Sequence, residues 1–545
     1  MQFPQGTKDW NGVDPAVLFT CPVTKHITKD AAKIARQIEK EARRADHLVL
    51  WTDCDREGEN IGAEIADTAG RANPRIDVHR ARFNAVTGYD VTRALDNLDK
   101  LDTALAAAAD VRSELDLRIG AAFTRHLTLS ARRHMGMSAP KLLSYGPCQI
   151  PTLGLVIEAA DRHDTFIPQS FWYLKLFATL PWGKVPFTWT RGRLFDQRAV
   201  EILHARTVDR PVLLERVEEA ESKVVRPRPM DTIGLQTSMA RRYRVPASTT
   251  MKVAESLYQR GLLSYPRTET TIFAQTIDLD RILSDISSTP EVARMAARLR
   301  ELGRVSPRND GRSDGAHPPI HPTGPATLPG GSVEQKLYDL VTRRFMACQA
   351  PDGVDSTMRL SATVGPERFH ASFRSVKSKG WREFEGSGGN ERGLPEASQV
   401  RGLRELPSTG VKLESGQTEP PPLLDEAGLI RAMNDRGIGT DATTAEHVNT
   451  IISRNYATRE TSAIKPTPLG RGLISGLLGC GASAQALVKP TGRALTEMRM
   501  RRVAGGLERP GDVVRQTVDV HTAAWREVLG GTRAIVARMQ EQMNA

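Results

Sequence analysis

Cysteine is scarce in this chain. Its 545 residues include five, Cys21, Cys54, Cys148, Cys348 and Cys480, widely spaced and with no C-x-x-C pair. That argues against a disulfide framework and against a zinc ribbon, and it fits a reducing compartment. No apolar run is long enough to span a bilayer. The opening Met-Gln-Phe-Pro-Gln-Gly lacks the basic and apolar blocks of a secretion signal. The expectation is an intracellular protein with no membrane partner. No internal repeat stands out. The Gly- and Pro-punctuated stretch at 144–154 has no Walker lysine, so it is not read as a nucleotide site.

What is present describes a globular chain of several domains. Hydrophobic residues make up 39% and charged residues 26%, a composition that buries cores rather than staying disordered. Lysine and arginine total 75 against 64 acids, a net charge of +11. Such an excess suits a polyanion such as nucleic acid, whose phosphates basic side chains neutralise. It equally describes a solvated basic surface, and charge alone does not choose between them.

Helical periodicity runs through residues 29–45, and His47-Leu-Val-Leu-Trp51 reads as a short buried strand. The strand leads into Thr52-Asp-Cys-Asp-Arg-Glu-Gly-Glu59, after which a second helix can run through Ile61, Ile65 and Ala66. This order is an α/β signature, in which ligands sit beyond the carboxyl ends of strands. Residues 171–192, 211–218 and 355–375 look β-rich, whereas 231–300, 424–455 and 513–545 read as helical. Stretches 303–332 and 385–421, rich in Gly, Pro and Ser, read as loops or linkers. β material on both sides of a helical block suggests a chain that leaves one domain and later returns to it.

Two stretches carry chemistry. In the first, Asp53, Asp55 and Glu57 alternate at the end of a hydrophobic strand, and extended backbone would put all three on one face. Crowded carboxylates repel unless a cation neutralises them, and hard oxygen ligands suit magnesium beside a phosphate. The plainer alternative is an acidic loop capping the next helix. Gly58 lets backbone or substrate approach closely, and the twelve-residue EF-hand pattern is not completed. In the second stretch, Gly261-Leu-Leu-Ser-Tyr-Pro-Arg-Thr-Glu-Thr270 follows a helix over 251–259. Gly261 is a plausible helix stop, and Pro266 biases Tyr265 toward an extended conformation. A phenol there can act as a nucleophile, with Arg267 to bind the attacked phosphate. From spacing alone, a tyrosine packed at a domain edge beside an exposed arginine describes the segment as well. His317 and His321 lie in a Pro-rich loop, either as phosphate donors or as ordinary loop residues. The segment 144–154 leads into a helix whose start can offer N–H groups to an anion.

Together these stretches resemble the type IA topoisomerases, most closely the eukaryotic topoisomerase III group. Asp53-Cys-Asp-Arg-Glu-Gly-Glu-Asn60 resembles that family's Toprim metal motif. Glu114-Leu-Asp-Leu-Arg-Ile-Gly120, Ser144-Tyr-Gly-Pro-Cys-Gln149 and Pro151-Thr-Leu-Gly154 are similar to its next blocks. Ser264-Tyr-Pro-Arg-Thr-Glu-Thr270 looks like its tyrosine motif. Ala316-His-Pro-Pro-Ile320, Gly437-Ile-Gly-Thr-Asp441 and His447 to Tyr456 complete the order.

The resemblance implies a multidomain α/β, α and β ring. A partial Toprim domain would occupy 1–137, a helical strand-binding domain 138–168 and 421–545, a β-rich arch 169–230 and 355–420, and a helical domain carrying Tyr265 231–354. It implies ATP-independent breakage, passage and rejoining of single-stranded DNA through a 5′-phosphotyrosyl bond. The implied roles are Tyr265 as nucleophile, Arg267 and His317 at the phosphate, and Mg2+ on Asp53, Asp55 and Glu57. Arg118, Gly146, Gln149, Thr440 and Asp441 would contact DNA. RNA is a further possible substrate, a RecQ-type helicase a possible partner, and the nucleus the location in a eukaryote. The family's opening strand with its Ala-Glu-Lys-Pro-like motif does not appear in the chain, nor do C-terminal zinc modules. A truncated chain is therefore expected. The alternatives are a single-strand-binding homologue impaired in cleavage for want of that glutamate, and a metal-dependent nuclease that does not use the tyrosine.

Overall fold

The computed structural model describes residues 1–386, 394–439 and 443–544. Near the start, helix α1 (Ala32–Ala42) leads to strand β1 (His47–Leu50), helix α2 (Arg56–Ala72) and strand β2 (Asp77–Arg80). The strands pair in parallel, with His47 opposite Asp77 and Leu50 opposite Arg80, so α2 is the crossover of a βαβ unit. Asp55 caps α2: its Oδ1 accepts from the backbone N–H of Gly58 at 2.7 Å. Asn73 closes the far end, donating to the carbonyls of Ala42 and Ala45. Between sheet and helix lies an ion pair, Arg80–Glu59, with both side chains fully buried. The same guanidinium donates to the carbonyls of Leu50 (3.2 Å) and Asp53 (2.7 Å), and Glu59 also accepts from the N–H of Asp102. Every charge in this pair is thus multiply bonded, as burial requires, and the pair pins the acidic loop to the end of β1.

Helices α3 (Gly88–Asp96) and α4 (Thr103–Met135) follow. Along α4, Ala108, Leu115, Ile119, Ala122, Phe123, Leu127 and Ala131 are buried in the largest core. That core also takes helix α5 (Gln149–Asp164) and the C-terminal helix Pro510–Asn544. Phe123 stacks on Tyr145 and meets Trp525 edge-on.

The chain then enters a seven-stranded antiparallel sheet. Its strands are β3 (Ser170–Leu180), β4 (Gly183–Trp189), β5 (Val212–Val224), β6 (Gly353–Val364), β7 (Glu367–Ser378), β8 (Glu405–Leu406) and β9 (Ser408–Gln417), in the order β8-β5-β6-β7-β4-β3-β9. Helix α6 (Gln197–Ala205) joins β4 to β5 on the way. Burial alternates along β4 and β6, as expected for a sheet with one covered face. Between β5 and β6 the chain departs through helices α7 (Thr232–Tyr243), α8 (Ala247–Gln259), α9 (Leu279–Ile286), α10 (Pro290–Glu301) and α11 (Val333–Ala347). It then returns to pair β6 with β5 along their whole length. The suspected departure and return is therefore present.

One expectation is corrected. Residues 385–421 are not simply linker, because β8 and β9 lie inside them and β9 forms an edge of the sheet against β3. Its sequence, Ser-Thr-Gly-Val-Lys-Leu-Glu-Ser-Gly-Gln, places only Val411 and Leu413 against the core. An edge strand with one small apolar face carries little of the alternation by which strands are read.

Candidate active site

Three segments meet around Tyr265. Helix α8 stops at Gly261, which has φ of 70° and where a Cβ would stand 2.5 Å from the carbonyl oxygen of Val86. Only glycine combines that turn with that approach. The chain beyond is held extended on both sides. The N–H of Tyr265 donates to the carbonyl of Asn84 at 2.8 Å, and that of Ser264 to the carbonyl of His321 at 2.9 Å. Thr232 Oγ1 donates to the carbonyls of Pro266 and Thr268. Tyr265 is 3% exposed, on a rigid non-helical segment, as Pro266 suggested.

Its hydroxyl donates to Oδ2 of Asp55 at 2.5 Å. Asp55 therefore fulfils the capping reading of the acidic loop with one oxygen, and with the other it holds the phenol, a contact that neither reading anticipated. Beside it, Tyr258 in the last turn of α8 donates to Oδ1 of Asp53 at 3.0 Å. Burial pushes the Tyr265 phenol far above its ordinary value, and the charge and hydrogen bond of Asp55 add to the shift. Burial likewise raises the Asp53 carboxyl. The hydrogen bond from Tyr258 opposes that rise, and the neighbouring charge of Asp55 reinforces it.

His317 stacks on the Tyr265 ring, centroids 4.7 Å apart. Its Nδ1 lies 3.2 Å from Oδ2 of Asp314, and its buried Nε2 has no partner. Burial pushes the Asp314 carboxyl up, but the bonds from the side chain and backbone of His317 outweigh it and leave the group well below its usual range. Arg267 is half-buried and forms an ion pair with Glu255. His321, by contrast, is a core residue: it is 6% exposed, bonded to the carbonyl of Pro319 and packed on Phe273 and Phe345. A cleft of about 810 Å³ opens beside His317, lined by Arg82, Asn84, Tyr89 and Arg281 among others. The guanidinium of Arg281 stacks over the Tyr89 ring at 3.5 Å across it.

The expected three-carboxylate face is only partly formed. Glu57 lies in the first turn of α2, not on extended backbone, and Arg112 donates to its Oε1 at 3.2 Å. Helical winding turns the third acid away from the first two. Asp53 and Asp55 remain side by side, and the charge of Asp55 helps to raise the Asp53 carboxyl. Two such carboxylates, one of them desolvated, are the donor chemistry a hard divalent cation suits. Gly58 is indispensable to this packing, since a Cβ there would stand 2.0 Å from the carbonyl oxygen of Asp53.

The remaining expected residues lie elsewhere. Arg118 is buried, bonded to Glu114 and to the carbonyls of Leu18, Phe19 and Cys21. Its guanidinium tethers the N-terminal segment. Gln149 is buried at the start of α5, bonded to Ser144, with Gly146 against it. Thr440 and Asp441 lie outside the described residues. Sequence reasoning missed Tyr258, Asn84, Asp314 and Arg112. Tyr258 had a usable signal, because it stands at the end of the helix that delivers Tyr265. The other three are contacts of tertiary structure without a local pattern.

Comparison with known proteins places this geometry in a class. A DNA topoisomerase family model matches residues 100–515, and a Toprim domain model matches residues 14–86. The chain belongs to the type IA DNA topoisomerases. Its relatives include DNA topoisomerase 3-alpha of Drosophila melanogaster, 37% identical over all of this chain and 43% of that protein. The Homo sapiens DNA topoisomerase 3-alpha is 37% identical over 98% of this chain and 53% of that protein. DNA topoisomerase 3 of Saccharomyces cerevisiae is 33% identical over 97% of this chain and 87% of that protein. The chain thus spans about half the length of these two topoisomerase 3-alpha relatives. The full-length topoisomerase I of Thermotoga maritima shares the fold, with a TM-score of 0.75 at 21% identity, over 96% of this chain and 84% of that one. Among the described residues, no helix is long and apolar enough to cross a membrane.

Proposed function

We propose that this chain breaks and rejoins single-stranded DNA through Tyr265, without ATP. The observation that carries the reading is the hydrogen bond from the Tyr265 hydroxyl to Asp55, which gives a buried phenol an adjacent proton acceptor. The phenolic oxygen attacks phosphorus, the bond from phosphorus to the 3′-oxygen breaks, and the phenolic proton passes to Asp55. The 3′-oxygen leaves as a hydroxyl by taking a proton from solvent, which Asp55 restores as it releases the phenolic proton, and DNA remains joined to Tyr265 through its 5′-phosphate. Attack by the 3′-hydroxyl reverses the step and reseals the strand. His317, whose Nε2 is buried without a partner, donates to a non-bridging phosphate oxygen. Arg267 supplies positive charge beside it. Asp53 and Asp55 would hold Mg2+, with Glu57 joining once released from Arg112; the cation would orient the 3′ end for resealing.

In this reading the seven-stranded sheet is the arch of a ring, and the block α7–α11 lifts Tyr265 away from Asp53 and Asp55 to admit a second strand. Gly146, Gln149 and the segment around Thr440 and Asp441 track the single strand, while Arg118 has a structural part. The +11 charge supports a nucleic-acid substrate and a place with the genome, the nucleus in a eukaryotic cell. RNA and a RecQ-type helicase partner are the extensions to examine once DNA cleavage is established. Incubation with negatively supercoiled plasmid and Mg2+, without ATP, should give stepwise relaxation. Binding to a single-stranded oligonucleotide should weaken with salt at a log–log slope of about −0.7 per phosphate neutralised. Unrelaxed plasmid, or tighter binding to blunt duplex than to single strand, contradicts the reading.

A further inference from the structure

The pairing of β1 with β2 brings together three ligands that the active site does not use. His47 lies opposite Asp77, and Val49 opposite His79. Residues two apart on a strand share a face, so His47, Asp77 and His79 all stand on one side of the strand pair. The other side carries Leu50 and is covered by α2, where Leu50 Cδ1 lies 3.4 Å from the place of a Gly62 Cβ. The ligand side is open: His47 and Asp77 are exposed and His79 is partly so.

The distances are those of a coordination shell. Oδ2 of Asp77 lies 3.1 Å from Nε2 of His79 and 3.7 Å from Nδ1 of His47, and the two nitrogens are 3.2 Å apart. Four ligands held about 2.0–2.1 Å from a tetrahedral zinc stand roughly 3.3–3.4 Å from one another. The three atoms therefore already outline one face of a tetrahedron, with the fourth corner free for water. Among the described residues this is the only group of three histidine, cysteine or carboxylate ligands whose donor atoms all fall within 4.8 Å. No lysine or arginine among them pairs with Asp77 to compete for its charge.

We propose that His47, Asp77 and His79 form a second metal site, for a borderline divalent transition ion such as zinc, cobalt or nickel. Imidazole selects these ions over magnesium, so the site differs in ligand chemistry from the paired carboxylates at Asp53 and Asp55. Its ligands come from both strands. A bound ion therefore cross-links β1 to β2 and stiffens the strand that ends in the acidic loop. The proposal does not depend on strand cutting by Tyr265.

The test uses the whole chain in excess Mg2+, which occupies hard carboxylate sites, titrated with Co2+ and followed by visible absorption. The expected result is one saturable equivalent with the intense bands of low-coordinate cobalt. In His47→Ala and His79→Ala the affinity falls by about tenfold or more. Zn2+ should raise the melting temperature of the parent chain and not that of either variant. Circular dichroism without metal checks that the variants fold. Should His79→Ala misfold, Asp77→Asn on the exposed side of the strand makes the same comparison. Equal cobalt binding by parent and variants, or only the weak octahedral spectrum of hydrated cobalt, overturns the proposal.

Discussion

The hydroxyl of Tyr265 donates to Oδ2 of Asp55 across 210 residues of sequence, at 2.5 Å. The two residues belong to distant parts of the chain, the βαβ unit and the α7–α11 block. A second bond, Tyr258 to Asp53, joins the same two parts, as does the N–H of Tyr265 on the carbonyl of Asn84. These bonds hold the phenol against the Asp55 carboxylate, and burial keeps it protonated.

Asp55 both caps α2 and accepts from the Tyr265 phenol, and substitution can separate these two roles. Asparagine keeps helix-capping ability but cannot accept the phenolic proton as a carboxylate does. Asp55→Asn should leave stability within about 1 kcal/mol and lower single-turnover cleavage by about 10²–10⁴-fold. Asp55→Ala should lose the cap as well and melt at a lower temperature. Equal cleavage by the parent chain and Asp55→Asn would remove Asp55 from the proton's path.

Gly58→Ala should be far more damaging than its size suggests. The added methyl stands 2.0 Å from the carbonyl oxygen of Asp53, so the loop whose carboxylates accept from Tyr258 and Tyr265 must shift. Overpacking of this kind costs about 1–3 kcal/mol, measurable by urea denaturation. Cleavage should fall with it. Wild-type activity in this variant would show that the loop geometry has slack.

Tyr258→Phe removes the hydrogen bond to Asp53 and leaves Tyr265 untouched. A bond to a charged group contributes about 1.5–3 kcal/mol, so the closed form should weaken and open at least about tenfold more readily. Single-molecule measurement of gate opening on tethered DNA reads this directly. Unchanged opening would assign the bond no part in closure.

Asp314 supplies a pH dependence of known sign. Its carboxyl is depressed in the folded chain because bonds from His317 outweigh the cost of burial. Its contribution to stability is therefore complete above the unfolded value of about 3.9 and is lost as pH falls through the lower folded value. Asp314→Asn should be less stable than the parent at neutral pH, with the difference shrinking below about pH 4. A stability difference that grows on acidification would contradict the assignment.

Much of this organisation was legible in local pattern. The strand at 47, the acidic loop, the stop at Gly261 and the extended Tyr265 each follow from neighbours in sequence. The return of the chain to its sheet was legible from β segments flanking a helical block. What escaped depends on tertiary partners. Glu57 looks equivalent to Asp53 and Asp55 until α2 winds it toward Arg112. Arg118, which the resemblance places at DNA, donates instead to the carbonyls of Leu18, Phe19 and Cys21, contacts with no local pattern. β9 reads as linker because its partner strand lies some 240 residues earlier.

The most direct test of the central claim is the identity of the residue that becomes attached to DNA. The chain is incubated with a single-stranded oligonucleotide and Mg2+, stopped with denaturant and digested, and the nucleotide-bearing peptide is sequenced by mass spectrometry. The account predicts a 5′-phosphate on Tyr265, lost in Tyr265→Phe while oligonucleotide binding stays within a few fold. Attachment through Tyr258 or any other residue, or free 5′-phosphate ends with no adduct, would contradict it.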